Sequence, residues 1–273
     1  MQRLEGIKVI NLAVNLPGPA AAQRLSAMGA EVIKVEPPSG DPMASYSGSW
    51  YREMAAGHVV RRIDLKAPEG RAELFALLQA ADVLLSATRP SAMRRLGLDP
   101  GTLQQAFPRL CQVVITGYLA PREDEPGHDL TYQASMGLVD PPHLPRALVS
   151  DMAGAERAVQ AALVLLYHRE RTGEGGCETI SLAEGAEFFA GSARHGLTLP
   201  GALLGGELPE YHIYRATDGW VAVAALEPHF KQRLESLLKV TTPEDYRRAF
   251  GGASTTFWQA WGQEHDVPIE TVR

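Results

Sequence analysis

The chain opens with short apolar runs that alternate with stretches of helical spacing. Ile7-Lys8-Val9-Ile10-Asn11-Leu12 reads as a buried strand; Pro17-Gly18-Pro19 then breaks it and starts a helix, with Pro19 suited to the first helical turn. The helix runs through Ala20 to Met28 and stops at Gly29, a natural left-handed C-terminal residue, before a second buried strand, Glu31-Val32-Ile33-Lys34-Val35. These three elements make one βαβ unit. Asp64-Leu65-Lys66-Ala67-Pro68 leads into another, in which Leu74, Leu77, Leu78 and Ala81 recur at helical spacing and Asp82-Val83-Leu84-Leu85 is the next strand. Leu110-Cys111-Gln112-Val113-Val114-Ile115 supplies one more. The alternation predicts an α/β fold: a doubly wound, Rossmann-like parallel sheet with helices on both faces.

The pattern changes in the middle third. From Met152 to Glu170 a single long helix is predicted, with Val159, Leu163 and Leu166 marking its buried stripe and the cations of Arg169-Glu170-Arg171-Thr172-Gly173 at the C-terminal end, where the helix dipole favours them. A strand, Glu178-Thr179-Ile180-Ser181-Leu182, and a small-residue helical stretch from Ala183 follow. Beyond the Gly-rich segment Leu199 to Gly206, the runs Tyr211 to Tyr214 and Trp220 to Ala224 flank Asp218-Gly219, a hairpin signal. The predicted organisation is a Rossmann-like domain over 1–187, a linker over 188–207 and a smaller α+β domain over 208–273.

Composition narrows the partners. At 273 residues and 45% hydrophobic content the chain can bury a large core, and a net charge of -6 argues against a nucleic-acid surface. Any anionic ligand must therefore be met by locally placed Arg and Lys. Cys111 and Cys177 are too few for a disulfide framework or a cysteine metal site, which fits a reducing cytoplasm. Met1-Gln2-Arg3-Leu4-Glu5 has no apolar signal core, no run approaches the roughly 20 apolar residues of a membrane span, and Glu270-Thr271-Val272-Arg273 is not a peroxisomal signal. A cytoplasmic protein without membrane attachment is expected.

The first βα turn lacks the Gly-x-Gly-x-x-Gly spacing of a dinucleotide site, so an NAD enzyme is disfavoured, and Walker, nucleophile-elbow and His-Glu-x-x-His metal motifs are absent. The candidate chemistry lies in one histidine and several carboxylates at element junctions: Gly127-His128-Asp129-Leu130, Ser150-Asp151-Met152-Ala153-Gly154, and Glu227, where the strand Trp220 to Ala224 meets a helix beginning at Pro228. Each has a structural alternative, Asp151 and Glu227 as helix caps and His128 as a loop histidine. Together they suit an enzyme that removes a proton from carbon and returns it.

The flanking sequences resemble the class III CoA-transferases, the family of formyl-CoA transferase and carnitine CoA-transferase. The resemblance is carried by Leu4-Glu5-Gly6-Ile7-Lys8-Val9, Gly18-Pro19, Met28-Gly29-Ala30-Glu31-Val32-Ile33-Lys34-Val35-Glu36-Pro37-Pro38 and Ile63-Asp64-Leu65-Lys66. It continues through Arg89-Pro90, Arg95-Leu96-Gly97-Leu98, Thr116-Gly117-Tyr118 and Arg169-Glu170-Arg171-Thr172-Gly173-Glu174-Gly175. Gly127-His128-Asp129-Leu130-Thr131-Tyr132 is similar to the motif that carries the catalytic histidine in the alpha-methylacyl-CoA racemase branch. Leu16 stands where the transferases have a glutamine, and Tyr211 with Leu226-Glu227-Pro228-His229-Phe230 is similar to the racemase segment.

The resemblance implies an isomerase of lipid metabolism that racemises 2-methylacyl-CoA thioesters with two bases. His128 and Asp151 would serve opposite faces of the α-carbon, with Glu227 or Asp129 orienting the imidazole and Tyr211 in support. Free amides at the N-terminus of the helix carrying Asp151 would face the enolate oxygen. Lys34, Arg62, Arg89, Arg94 and Tyr132 would bind the CoA moiety, with no further cofactor, no metal and no NAD. Two alternatives remain: a CoA-transferase acylated on Asp151, and a non-catalytic partner subunit of a longer paralogue. The family also implies a homodimer of interlocked subunits; the partner-subunit alternative implies a hetero-oligomer with that paralogue. Departures from its pattern are a shorter C-terminal part, short loops over 40–58 and 140–145, and Ala87-Thr88 in place of Asn-Phe.

Overall fold

The computed structural model describes residues 3–273, which divide into two compact units, the first ending at Ala190 and the second beginning at Gly191. In the first unit the chain runs β1 (Lys8–Asn11), α1 (Pro17–Ala27), β2 (Glu31–Glu36), α2 (Met43–Tyr46), α3 (Gly48–Met54), β3 (Val59–Arg62), α4 (Pro68–Leu78) and β4 (Val83–Ser86). It continues through α5 (Pro90–Leu96), α6 (Pro100–Ala106), β5 (Cys111–Thr116), α7 (Asp129–Ser135), α8 (Val149–Thr172), β6 (Gly176–Ser181) and α9 (Leu182–Phe189). The six strands form one parallel sheet in the order β3-β2-β1-β4-β5-β6. The predicted α/β doubly wound architecture is therefore present.

Strand alternation assigns the two faces. Val9, Val83, Leu85 and Val113 point toward α1 and α8, whereas Ile10, Leu84, Leu74 and Leu103 form the core beneath α4, α5 and α6. Small residues let α1 and α8 lie close over the sheet: Ala20, Ala21 and Ala22 on one and Ala155, Ala158 and Ala162 on the other are all buried. The predicted stripe on α8 is corrected at Leu163, which is 37% exposed; Leu165 and Leu166 are buried instead. The C-terminal end of α8 is anchored by Arg169 to Asp82 (2.8 Å), and Asp82 also accepts the Lys8 amide (2.7 Å). This tie at the lower edge of the sheet helps set where the other end of α8 stands.

The second unit contains α10 (Gly191–Arg194), β7 (Tyr211–Arg215), β8 (Trp220–Ala224), α11 (Pro228–Leu238), α12 (Pro243–Phe250), α13 (Thr255–Glu264) and β9 (Ile269–Thr271). Its three strands are antiparallel in the order β7-β8-β9. The predicted hairpin forms with Arg215 opposite Trp220, and the Asp218 carboxylate accepts the Thr255 amide at the start of α13 (2.8 Å). Tyr214 stacks on Phe250 (4.9 Å), whose carbonyl accepts the Trp258 indole N–H (2.8 Å). The predicted linker is split, with Phe188 and Phe189 completing α9 and residues 191–207 belonging to the second unit. Among the described residues, no helix is long and apolar enough to cross a membrane.

Candidate active site

In a sheet of this order, the connections leaving β1 and β4 diverge to opposite faces and open a crevice at their C-terminal ends. A cavity of about 270 Å³ occupies that position. Asn15 and Pro17 line it from the turn after β1, Thr88 and Arg89 from the turn after β4, and His128, Tyr132 and Asp151 from the α7 and α8 segments. His128 and Asp151, distant in sequence, thus share one cavity.

The turn after β1 is held from below. Asn15 has φ of 66°, in the left-handed region, and its amide donates to Asp41 (2.9 Å). Asp41 is fixed by Lys34 (2.6 Å), whose ammonium also donates to the Ala13 carbonyl (3.3 Å), and both charged side chains are buried. Lys34, expected to meet CoA, is therefore committed to a buried ion pair beneath the cavity wall. Removing it as Lys34→Met leaves Asp41 uncompensated, so we expect a loss of about 3–5 kcal/mol in denaturant unfolding, with Asp41→Asn restoring part of it in the double variant.

Arg62 ends β3 as an exposed side chain, its guanidinium over Gly40, where a Cβ would come within 3.4 Å. Arg94 is exposed on α5 and pairs with Asp124 (3.5 Å). Of the four expected cations, Arg89 is the one that lines the cavity with His128 and Asp151.

His128 stands at the N-cap of α7 in an extended conformation and its amide donates to Thr131 Oγ1 (3.1 Å). Its side chain is exposed. Asp129 points elsewhere than expected. Its Oδ1 accepts the amides of Ser150 (2.8 Å) and Asp151 (3.1 Å), and its Oδ2 accepts from Gln133 (2.5 Å). Asp129 is thus the cap of α8, supplied from α7, and Leu148 at the N-cap contributes no side-chain bond. Two expectations are corrected by this geometry. Asp129 does not present its carboxylate to the imidazole, and the amides of Ser150 and Asp151 are already occupied rather than open to an enolate oxygen.

The same arrangement sets the acidity of Asp151. The positive end of a helix ordinarily stabilises a carboxylate in its first turn, but Asp129 counters that field with a full negative charge. Burial, and after it the Asp129 carboxylate, pushes Asp151 up to about 7. An acid held there is half-ionised near neutral pH and can both take and give a proton.

Tyr132 closes the floor. Its ring is buried edge-on to Tyr118 (5.2 Å) and is gripped between two glycines. A Cβ at Gly127 would lie 2.5 Å from the ring, and one at Gly117 would lie 2.3 Å from the hydroxyl. Burial, followed by Tyr118 and the charge of Asp151, pushes the Tyr132 hydroxyl up to about 12, so it is a neutral donor. Gly127→Ala must displace either the Tyr132 ring or the backbone that carries His128. We expect activity to fall on the order of 100-fold, as for displacements near 1 Å, with a stability loss of about 1–3 kcal/mol; turnover and thermal melting measure the two separately.

Thr88 and Glu123 line the cavity without having been singled out by sequence. Glu123 lies in the charged run Arg122-Glu123-Asp124-Glu125, which reads as a solvated loop, yet its Oε2 is buried with no hydrogen-bond partner. In the second unit, Tyr211 opens β7 opposite Ala224 and Glu227 is an exposed N-cap residue of α11 without a side-chain capping bond.

A Rossmann-type domain with an acid and an imidazole at its switch point defines a class of candidate acid–base enzymes, and comparison with known proteins places the chain more closely. The family model described as CoA-transferase family III matches residues 4–264. Human alpha-methylacyl-CoA racemase is 32% identical over 255 residues, covering 85% of this chain and 63% of the racemase. The cinnamoyl-CoA:phenyllactate CoA-transferase of Clostridium sporogenes is 32% identical over 82% of this chain and 61% of its own length. The chain thus spans somewhat less than two thirds of these two relatives. Among solved structures, a hypothetical protein from Mycobacterium tuberculosis superposes with a TM-score of 0.84 at 25% identity, covering 98% of this chain and 85% of that one. The protein belongs to CoA-transferase family III. Its members include both racemases and CoA-transferases.

Proposed function

We propose that this protein is an acyl-CoA isomerase that inverts the α-carbon of 2-methylacyl-CoA thioesters. The observation that carries the reading is Asp151, pushed up to about 7 in the cavity that also holds His128. One of the two takes the α-proton; the C–H electron pair becomes the carbon–carbon π bond of an enolate as the carbonyl π pair moves onto the thioester oxygen. The other returns a proton to the opposite face as the carbonyl re-forms and the enolate π pair makes the new C–H bond. Tyr132 and Arg89 are the cavity's donors for the enolate oxygen, replacing the occupied α8 amides, and Arg89 also serves the CoA moiety. Tyr211 and Glu227 keep their assignment as supporting and catalytic residues through the resemblance of their segments to the racemases.

The transferase reading is favoured by relatives such as the phenyllactate CoA-transferase. There Asp151 attacks the thioester carbonyl, CoA thiolate leaves, and an acyl anhydride forms on the carboxylate. No observation supports a non-catalytic partner. A dimer remains part of the proposal, supported by the outward side chains Val164 and Tyr167 on α8, which are 61% and 65% exposed. The test is incubation with a panel of acyl-CoAs in deuterated water, with a free carboxylate added as acceptor. Deuterium at the α-carbon without CoA transfer supports the isomerase; transfer without exchange replaces it with the transferase.

A further inference from the structure

A second cavity, of about 510 Å³, lies on the α5 and α6 side of the sheet. Leu84 and Ser86 of β4 and Val114 and Thr116 of β5 alternate to that face and form its floor, while α5, α6 and the 119–123 loop form its walls. Its size falls within the range of pockets that enclose a small ligand. Thr116 and Glu123 line both this cavity and the one holding His128 and Asp151, so the two adjoin at the C-terminal end of β5. The loop at the junction is latched to α5, where Asp124 accepts the Ser91 amide (3.2 Å) and pairs with Arg94 (3.5 Å).

Two features of this junction point to a ligand. The cavity interior is largely aliphatic, with Leu84, Met93, Leu98 and Leu103 around it, and at its neck Glu123 Oε2 is buried without a donor. A buried carboxylate oxygen left unpaired is costly, and a ligand hydroxyl entering the cavity can supply the missing hydrogen bond. We propose that this cavity is the subsite for the acyl chain of the thioester, and that Glu123 accepts a hydrogen bond from a hydroxyl borne by the acyl group close to the thioester carbon. The inference rests on the acyl-CoA reading above. The reacting carbon must lie between His128 and Asp151, and the large polar CoA moiety must run to solvent. The apolar part of the substrate is then directed past Thr116 and Glu123. The substrate class assigned is hydroxylated acyl-CoA with an aliphatic tail of medium length.

The experiment is calorimetric titration of the protein with acetyl-CoA, octanoyl-CoA and 3-hydroxyoctanoyl-CoA, repeated with Val114→Phe, Thr179→Trp and Glu123→Gln. Each buried methylene contributes about fourfold, so octanoyl-CoA is expected to bind wild type at least ~30-fold more tightly than acetyl-CoA. A hydrogen bond to a carboxylate adds about tenfold for the hydroxy compound. Val114→Phe fills the cavity from its floor, and Thr179→Trp does so from the exposed face of β6, where an aromatic residue suits a strand. Both should bring the octanoyl-to-acetyl ratio toward one, and Thr179→Trp carries the test if the core variant fails to fold. Glu123→Gln should remove the preference for the hydroxy compound. Equal affinity of wild type for acetyl-CoA and octanoyl-CoA, or a ratio unchanged in the folded filling variants, overturns the subsite. If acetyl-CoA and octanoyl-CoA both fail to bind wild type, the acyl-CoA reading itself falls and takes this inference with it.

Discussion

Asp151→Asn should lower the inversion of a 2-methylacyl-CoA by about 100 to 10,000-fold, the range a general acid or base contributes, and should make the protein more stable at pH 8. The two effects have one cause. Burial and the Asp129 carboxylate hold Asp151 up to about 7, far above its ordinary value of 3.8. Between those values the folded chain binds a proton that the unfolded chain has released, so stability is fully present below about pH 4 and is lost as pH rises through 7. A shift of that size corresponds to about 4 kcal/mol. An amide carries no charge to bury, so Asp151→Asn should regain most of it at pH 8 and almost none at pH 4. Denaturant unfolding at the two pH values measures the gain. A variant that is inactive and less stable at pH 8 contradicts the strained, half-ionised carboxyl described here.

His128→Ala has the second large effect. His128 contributes to α7 through its backbone, whose amide donates to Thr131, while its side chain is exposed to the cavity. The fold should therefore tolerate the change, and the loss should fall on chemistry. Inversion is expected to drop by about 100 to 10,000-fold. Exchange of the α-proton on the face served by Asp151 should persist, so one enantiomer still gains deuterium without inverting. If Asp151 were instead a nucleophile, His128→Ala would leave acyl transfer largely intact. The two variants are therefore complementary: each should abolish inversion while sparing exchange in the opposite enantiomer.

The architecture was legible in the sequence where burial on two faces leaves a continuous apolar run, as in β1, β2, β4 and β5. It was not legible for β3, whose Val59-Val60-Arg61-Arg62 is exposed at the sheet edge and carries no alternation. Leu163 failed for a related reason: helical spacing identifies candidate faces, but Ala155, Ala158 and Ala162 chose the one that approaches α1 and the sheet.

His128 and Asp151 were legible in local sequence as residues at helix starts, and the structure brings them into one cavity. Their neighbours were not legible there. Asp129 adjoins His128 in sequence, yet the helical turn sends its carboxylate to the amides of α8, twenty-one and twenty-two residues onward. Lys34 follows an apolar run in the manner of a ligand-binding cation, and only the return of the chain at Asp41 reveals a buried pair. Glu123 sits among charges that suggest solvent, and tertiary placement alone brings it between two cavities.

In the proposed mechanism His128 and Asp151 serve opposite faces of one carbon. The most direct measurement is the time course of deuterium incorporation from deuterated water into the separate (R) and (S) forms of a 2-methylacyl-CoA by the wild-type protein, with hydroxylamine added to parallel samples. Deuterium uptake from both enantiomers, convergence on a racemic product and no acyl group captured from Asp151 are expected. An absence of exchange from either enantiomer, together with hydroxylamine capture of an acyl group on Asp151, would contradict the two-base mechanism and establish a covalent transferase in its place.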